Sequence, residues 1–251
     1  MSSSSTKALA DLPTWDEQGK DSVAKSKPLY EPNSVINSKV SFWFNGNSAA
    51  LEADAIVNAA NSGLYPGGGI CGVIHRAAGH KLEIACDKIG GCPTGECVIT
   101  PGFRLPSKYV IHAVGPIGEK PDLLQMVYEN ILNSIDGEKI KSVGLCCIST
   151  GIYGYPIVPA TKIALDVTRK WLENPKNLEK TNRIVFVVYE QKDVNVYKNL
   201  APLYFPLDNQ ICEIDSLEEN DSKTKEPTQN VAEEVIQDKE ELGTSDGFSA
   251  K

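Results

Sequence analysis

The chain has 251 residues, 41% of them hydrophobic, and a net charge of −8. This charge belongs to one end, because residues 208–251 carry thirteen acidic and four basic side chains, which leaves residues 1–207 at about +1. The body therefore lacks the positive field that attracts nucleic acid. No apolar run reaches the roughly 20 residues of a membrane span, so we expect no membrane-spanning helix and no membrane partner.

Both ends of the chain have the composition of disordered segments. Residues 1–28 begin with a serine run and lack the apolar core of a secretory signal, and residues 208–251 contain Phe248 as their one aromatic residue. Such segments bury too little apolar surface to offset their chain entropy. We expect disorder over 1–28 and 208–251, with Leu12-Pro13-Thr14-Trp15 able to dock locally, and one folded domain over 29–207.

The seven cysteines show no CxxC pair, and two of them, Cys146 and Cys147, are adjacent. This pattern suits neither a disulfide framework nor a zinc ribbon. Cys86, Cys92 and Cys97 also lack a recognised metal-ligand spacing. We expect reduced thiols in the cytoplasm or nucleus, and neither a metal site nor a cofactor.

Short β-rich runs alternate with amphipathic stretches through the body. The predicted elements, in chain order, are strands Val40–Phe44 and Ala55–Ala59, helix Ile70–Ala78, strand Tyr109–Val114, helix Asp122–Ile135, strand Val143–Ile148, helix Ala160–Leu172, strand Ile184–Tyr189 and helix Val194–Leu200. The last two strands are continuously apolar, which is typical of strands covered on both faces. The pattern predicts a layered α/β domain with its ligand loops at the carboxyl ends of the strands.

A glycine-rich loop follows the second predicted strand. Its candidate ligand-binding residues are Ala60, Asn61, Gly67, Gly68, Gly69 and Ile70. Consecutive glycines leave a backbone without Cβ atoms, and the free N–H groups of the helix that follows favour an anion such as phosphate. The side chain of Asn61 can both donate to and accept from a sugar hydroxyl. A purely structural glycine turn is the alternative interpretation.

A second loop of the same kind follows the Val143–Ile148 strand. Its candidate residues are Ser149, Thr150, Gly151, Ile152 and Tyr153. Glycines and hydroxyl groups again stand at a strand end, ahead of a helix. Two such loops in one α/β domain indicate a clamp around a diphosphate.

Together these segments resemble the MacroD-type subgroup of the macrodomain family. The segments that carry the resemblance are 55–61, the triple glycine 67–69, 74–79, 110–116 and 148–156. The resemblance covers about residues 40–206, and the flanks 35–39 and 202–206 are similar to the macrodomain of ganglioside-induced differentiation-associated protein two. It implies a three-layer α/β/α sandwich around a mixed central sheet. It also implies ADP-ribose and ADP-ribosylated proteins as partners, and we expect a monomer.

The resemblance assigns roles by position. Gly67–Ile70 would line the distal ribose and the diphosphate, and Ser149–Tyr153 would close over the phosphates. Asn61 would contact the distal ribose, and Tyr189 would stack on adenine, which needs no exact hydrogen bonding.

Two positions depart from the family pattern. The family has an Asp that accepts from the adenine amino group, and here Asn47 offers a carbonyl without charge assistance. MacroD-type hydrolases have an Asp where this chain has Cys71, and a thiol is a poor substitute for a carboxylate base. The candidate catalytic residues are thus Asn61 and Cys71.

Three functions remain open. One is a reader that binds ADP-ribosyl groups unchanged, and another is a hydrolase for ADP-ribosyl–carboxylate esters or O-acetyl-ADP-ribose, with water held by the substrate's own phosphate. An RNA or poly-ADP-ribose scaffold is disfavoured by the near-neutral body. Cys71 with His75 one turn on is compatible with a thiolate nucleophile, although a small semi-buried side chain is the simpler interpretation. We expect His75, Arg76 and His112 to be structural.

Overall fold

The computed structural model describes residues 6–22, 24 and 26–208. Its strands are β1 Lys7–Ala8, β2 Val40–Phe44, β3 Leu51–Glu52, β4 Ala55–Ala59, β5 Cys97–Pro101, β6 Tyr109–Ala113, β7 Ser142–Leu145 and β8 Arg183–Val188. Its α-helices are α1 Trp15–Gln18, α2 Ser34–Asn37, α3 Gly69–Ala78, α4 His80–Ile89, α5 Pro121–Asn133, α6 Ile157–Glu173, α7 Pro175–Lys180 and α8 Gln191–Tyr204. The prediction of a disordered tail over 208–251 falls, after Asp208, outside the described residues. No helix in the described ranges is long and apolar enough to cross a membrane.

Six strands form the central sheet, in the order β2-β8-β7-β4-β6-β5. Strand β5 runs antiparallel to β6, while the other neighbours pair in parallel, so the sheet is mixed. Strands β1 and β3 pair with each other as a separate parallel ladder. Because parallel strands end at the same edge, the loops after β4 and β7 start side by side.

Helices cover both faces of this sheet. Ile56 shares an apolar cluster with Ile74 of α3, whereas the next residue, Val57, shares the other cluster with Leu124 of α5. Successive side chains of a strand point to opposite faces, so this split places α3 and α4 on one side and α5, α6 and α8 on the other. The predicted three-layer α/β/α sandwich is confirmed.

The strand predictions Val40–Phe44 and Ala55–Ala59 are confirmed residue for residue. Strand β7 ends at Leu145, three residues before the predicted end, because the chain leaves the sheet ahead of a left-handed turn at Ser149, whose φ is 65°. The edge strand β5 and helix α4 were not predicted. Within strand β5 only Thr100 is buried, and the strand carries a proline, so it lacks the apolar signal of the inner strands.

The prediction that residues 1–28 are disordered is wrong for the described part of that segment. Trp15 is 3% exposed, donates from Nε1 to the carbonyl oxygen of Phe205 over 2.6 Å, and packs edge-on against Phe42. The Gln18 side chain pairs with both backbone groups of Phe42 and so covers the edge of the sheet. The local docking of Leu12-Pro13-Thr14-Trp15 is confirmed. The sequence predicted disorder here because a single large side chain, Trp15, in a polar stretch produces no hydrophobic periodicity.

Candidate functional site

Two adjoining cavities lie at the carboxyl ends of the parallel strands. The first cavity, of about 470 Å³, is lined by Ala59, Ala60, Asn61, Ser62, Tyr65, Gly67, Gly68, Gly69, Ile70, Cys71, Gly115, Ile117, Cys147, Ile148, Ser149, Gly151, Ile152 and Tyr153. The second cavity, of about 370 Å³, is lined by Gly46, Asn47, Ser48, Gly69, Ile70, Val73, Cys146, Cys147, Thr150, Gly151, Val187, Tyr189, Glu190 and Asp193. They share four lining residues and therefore form one elongated cleft.

The glycine loop delivers the start of α3 to the wall shared by the two cavities. Gly69, the first residue of α3, has a φ of 56°, in the left-handed region that favours glycine. No side chain caps this end of the helix, since its N-cap residue is Gly68. The first N–H groups of α3 are thus left for another acceptor. A Cβ atom on Gly72 would collide with the carbonyl oxygen of Gly67, so the loop and the helix can pack only with glycine there.

The second loop is held in a strained turn. Ser149 has a left-handed backbone, and its carbonyl oxygen accepts from the N–H of Tyr155 over 2.9 Å. The Thr150 hydroxyl ties the loop back to the carbonyl oxygen of Cys147 over 3.2 Å. Ser149 is 5% exposed, and its Oγ has no partner among the described residues. This buried hydroxyl at the cavity wall is available to a ligand.

The two loops meet across the cleft. The side chain of Ile152 lies 79% exposed above it, and a Cβ atom on Gly68 would stand 2.7 Å from the Ile152 Cδ1 atom. Glycine at position 68 therefore allows the two loops to come together over the first cavity.

Asn61 is engaged with its own loop. Its Nδ2 donates to the carbonyl oxygen of Tyr65 over 2.8 Å, and its Oδ1 accepts from the Tyr65 N–H over 3.3 Å. The side chain predicted to touch the distal ribose thus lines the first cavity while holding Tyr65, which is 61% exposed, at the cavity rim.

The two cavities differ in charge. The first has no charged side chain among its described lining residues, so an anion there would be held by backbone dipoles and hydroxyl groups. The second has the carboxyl groups of Glu190 and Asp193, with Tyr189 73% exposed at its mouth. The cleft is therefore suited to a ligand whose anionic part lies in or beside the first cavity.

The carbonyl of Asn47 is already used inside the protein. Asn47 caps a short 3-10 helix, and its Oδ1 accepts from the N–H of Ala49 over 3.1 Å. One of the two lone pairs of this oxygen is thus occupied, so the predicted hydrogen bond from adenine would use the second, while the side-chain amide nitrogen is a donor.

The Cys71 thiol is buried at the end of the first cavity, 4% exposed. Its sulfur lies 3.7 Å from Asn58 Nδ2 and 3.7 Å from the carbonyl oxygen of Tyr65. Both ring nitrogens of His75 are without a hydrogen-bond partner in the described part of the chain, so the structure does not form the Cys71–His75 pair.

A buried polar cluster lies behind the glycine loop. Ligand-type atoms of His75, Cys86 and His112 lie within 4.8 Å of one another. The His112 Nδ1 accepts from Asn58 over 3.1 Å, and its Nε2 then donates to Thr100 over 2.9 Å, so this ring has no free lone pair for a metal ion. Burial lowers the pKa of His112 to about 4 and raises the pKa of Cys86 to about 11. The cluster is a neutral packing core, as expected for His75 and His112.

The predicted ligand residues all line the cleft. Ala60, Asn61, Gly67, Gly68, Cys71, Ser149, Ile152 and Tyr153 lie at the first cavity, Asn47, Thr150 and Tyr189 at the second, and Gly69, Ile70 and Gly151 at both. Sequence reasoning missed Tyr65 and Ile117 at the first rim, and Asp193 in the second cavity. Asp193, in the first turn of α8, has the appearance of an ordinary helix-start acid.

Comparisons with known proteins agree with this geometry. A family model described as Macro domain matches residues 57–164. The crystal structure of the ganglioside induced differentiation associated protein 2 macro domain superposes with a TM-score of 0.73 and 32% identity, covering 81% of this chain and 98% of that one. The chain belongs to the macrodomain family. The macrodomain resemblance noted in the sequence is confirmed.

Two further comparisons place this macrodomain among its relatives. "ADP-ribose glycohydrolase MACROD1" of Bos taurus is 42% identical over 206 residues, which are 79% of this chain and 62% of the relative, so the chain spans less than two thirds of that protein. The crystal structure of the Trypanosoma brucei macrodomain in complex with ADP-ribose has a TM-score of 0.68 and 37% identity, covering 78% of this chain and 77% of that one.

Proposed function

We propose that this macrodomain binds ADP-ribosyl groups, both as free ADP-ribose and on mono-ADP-ribosylated proteins. The observation that carries the proposal is one cleft with two differing cavities joined at the start of α3. ADP-ribose has the matching layout, with a diphosphate between a terminal ribose and an adenosine. The similar trypanosomal macrodomain was crystallised with this ligand.

The diphosphate lies, in this proposal, between the two loops. The start of α3 offers free N–H groups and the positive end of a helix dipole. The loop of Ser149–Tyr153 approaches from the other side and brings a buried hydroxyl that has no partner within the described part of the chain. The absence of charged side chains from the described wall of the first cavity matches a site that binds phosphate through dipoles.

The rim of the first cavity favours a ligand attached to a protein. Tyr65, Ile117 and Ile152 are 61%, 68% and 79% exposed, so this end of the cleft faces solvent. A protein joined to the distal ribose would leave the cleft here without displacing buried residues. The second cavity would take the adenosine, with exposed Tyr189 free to stack on the base.

Hydrolysis of the bond to the distal ribose is the second candidate function. The name of the bovine relative favours it. Within the described lining of the first cavity, however, there is neither a carboxylate nor an imidazole to act as a base near neutral pH. Attack by water would then rely on the substrate's own phosphate, and turnover would be slower than with a carboxylate in place of Cys71.

One paired experiment tests both functions. A protein mono-ADP-ribosylated on glutamate is mixed with excess macrodomain, and retention of the modified protein and release of ADP-ribose are followed in parallel. We expect retention, competed by free ADP-ribose, with release that is slow or absent. The absence of any competed retention would contradict the binding proposal, and fast single-turnover release would make hydrolysis the main function.

A further inference from the structure

The second cavity contains a buried acid whose role the fold does not explain. Its walls include the apolar Val73, Val187 and Cys146, and its polar residues include Asn47 and Asp193. Asp193 is 6% exposed, and its Oδ1 has no hydrogen-bond partner among the described residues. A buried carboxyl oxygen without a partner is costly, so such a group is expected to gain one from a ligand.

A structural role at the helix start does not account for this burial. Asp193 stands in the first turn of α8, where a negative charge stabilises the helix dipole even when it is exposed. Asp122 also lies in the first turn of its helix, α5, and is exposed. Burial raises the pKa of Asp193, which shows that its charge is less well solvated than usual. The helix alone gains nothing from burying the acid.

Asn47 lines the same cavity but gives it no charged hydrogen-bond acceptor. Its carbonyl oxygen accepts from Ala49, and its free amide nitrogen can only donate. A donor cannot accept from the exocyclic amino group of adenine, although it can donate to a ring nitrogen. The Asn47 oxygen keeps one lone pair, but as a neutral acceptor it is weaker than a carboxylate. Of the two carboxylates that line the cavity, Glu190 is exposed and pairs with Lys192 over 2.8 Å, which leaves Asp193 as the buried charged acceptor for an amino purine.

We propose that Asp193 selects the base, its carboxylate accepting a hydrogen bond from the exocyclic amino group of adenine. This inference rests on the proposed binding of ADP-ribosyl groups, with the adenosine in the second cavity. A purine with a keto oxygen at that position, as in hypoxanthine, turns an acceptor toward the carboxylate and loses the hydrogen bond. Asp193 thus takes the place of the acid that Asn47 does not supply.

The test compares ADP-ribose with its hypoxanthine analogue, inosine diphosphate ribose, by calorimetric titration. We expect the native protein to prefer ADP-ribose by about tenfold or more, the range of a hydrogen bond to a charged group. In Asp193→Asn the amide can turn its NH₂ toward the keto oxygen, so the preference should fall to within about threefold. The matched control Asp122→Asn, in the first turn of a helix outside the cleft, should keep the native ratio.

The titrations distinguish a failure of the role proposed for Asp193 from a failure of the proposed ADP-ribose binding. An unchanged ratio in Asp193→Asn, or equal weakening of both ligands with a lowered melting temperature, would overturn the role of Asp193. A native protein that binds neither nucleotide would overturn the proposed function itself. Asp193→Ser, which keeps a polar group in the first turn of the helix, replaces Asp193→Asn if that variant does not fold, and the same loss of preference is expected.

Discussion

The sulfur of Cys71 lies 3.7 Å from the side-chain nitrogen of Asn58, and this contact fixes the thiol under the glycine loop. Asn58 is itself fully buried and donates to the ring of His112. On its other side the thiol donates to the carbonyl oxygen of Tyr65. Cys71 is thus hydrogen-bonded from two sides at the end of the first cavity, which is the geometry of a packed polar side chain rather than of a free nucleophile.

Substitutions at Cys71 separate the possible mechanisms. If water is held by the substrate's phosphate, Cys71→Ala should retain whatever hydrolysis the native protein shows, within a few-fold. Cys71→Asp would put a carboxylate beside the amide of Asn58, and it should raise the rate at least about tenfold, since a positioned base contributes about 10²–10⁴-fold. The rates of both variants are measured as single-turnover release of ADP-ribose.

The opposite pattern would point to a thiolate nucleophile. In that case Cys71→Ala and Cys71→Asp would both be inactive, and iodoacetamide would inactivate the native protein. If the native protein shows no hydrolysis while Cys71→Asp is active, the native protein is a binding module whose cleft needs only a carboxylate to hydrolyse its ligand.

The N-terminal segment should contribute to stability. Trp15→Ala removes a buried indole, and changes of this kind cost about 3–5 kcal/mol. For a domain of this size the melting temperature should fall by about 10 °C, as followed by circular dichroism. Leu29→Ala, at a side chain that is 61% exposed, serves as the control and should change it little. Equal melting temperatures for the two variants would contradict the docking of this segment.

The buried histidines should make the fold sensitive to mild acid. Burial lowers the pKa of His112 to about 4 and also lowers that of His75. Below the ordinary histidine pKa of 6.5, these side chains are protonated in the unfolded chain but stay neutral in the folded one. The free energy of unfolding therefore falls as the pH drops from 6.5 toward 4. The share of His112 in this slope should be about 1.4 kcal/mol per pH unit, and His75 should add to it in the same direction.

Urea unfolding at several pH values between 6.5 and 5 measures this slope. His112→Gln should flatten it by about the share of one histidine. His80→Gln, at an exposed histidine outside the buried cluster, is the matched control. A stability that is flat over this range in the native protein would show that His112 is protonated in the fold.

The loops of the cleft could be predicted from sequence because their signal is local. Three successive glycines before a helix specify a backbone that approaches an anion, whatever surrounds it. Strands β2 and β4 were equally predictable, since three aromatic residues mark β2 and the β-branched pair Ile56-Val57 marks β4.

Other features depend on tertiary neighbours that a sequence does not reveal. Trp15 is buried by its contact with the ring of Phe42 and its hydrogen bond to Phe205, and both residues are distant from it in sequence. The direction of the Asn47 amide is set by the turn at Ala49, and Asp193 is buried where α8 packs against β8 and α6. Each is a single polar or aromatic residue whose role is decided by packing rather than by periodicity.

A glutamate at position 68 should block the cleft. Its side chain would displace Ile152 and bring a negative charge between the two loops that line the first cavity, where the diphosphate is proposed to lie. We expect Gly68→Glu to abolish ADP-ribose binding without a large change in melting temperature. Gly68→Ala is the matched control, because a methyl group meets only the flexible end of Ile152, and its loss of affinity should be modest. Native affinity in Gly68→Glu would place the diphosphate elsewhere.

Calorimetric titration of the native chain with ADP-ribose tests the central claim most directly. We predict saturable one-to-one binding with a Kd in the micromolar range, about −8 kcal/mol, as expected for a preformed cleft that holds a diphosphate and one stacked base. An absence of heat and of saturation at millimolar ADP-ribose would contradict the account.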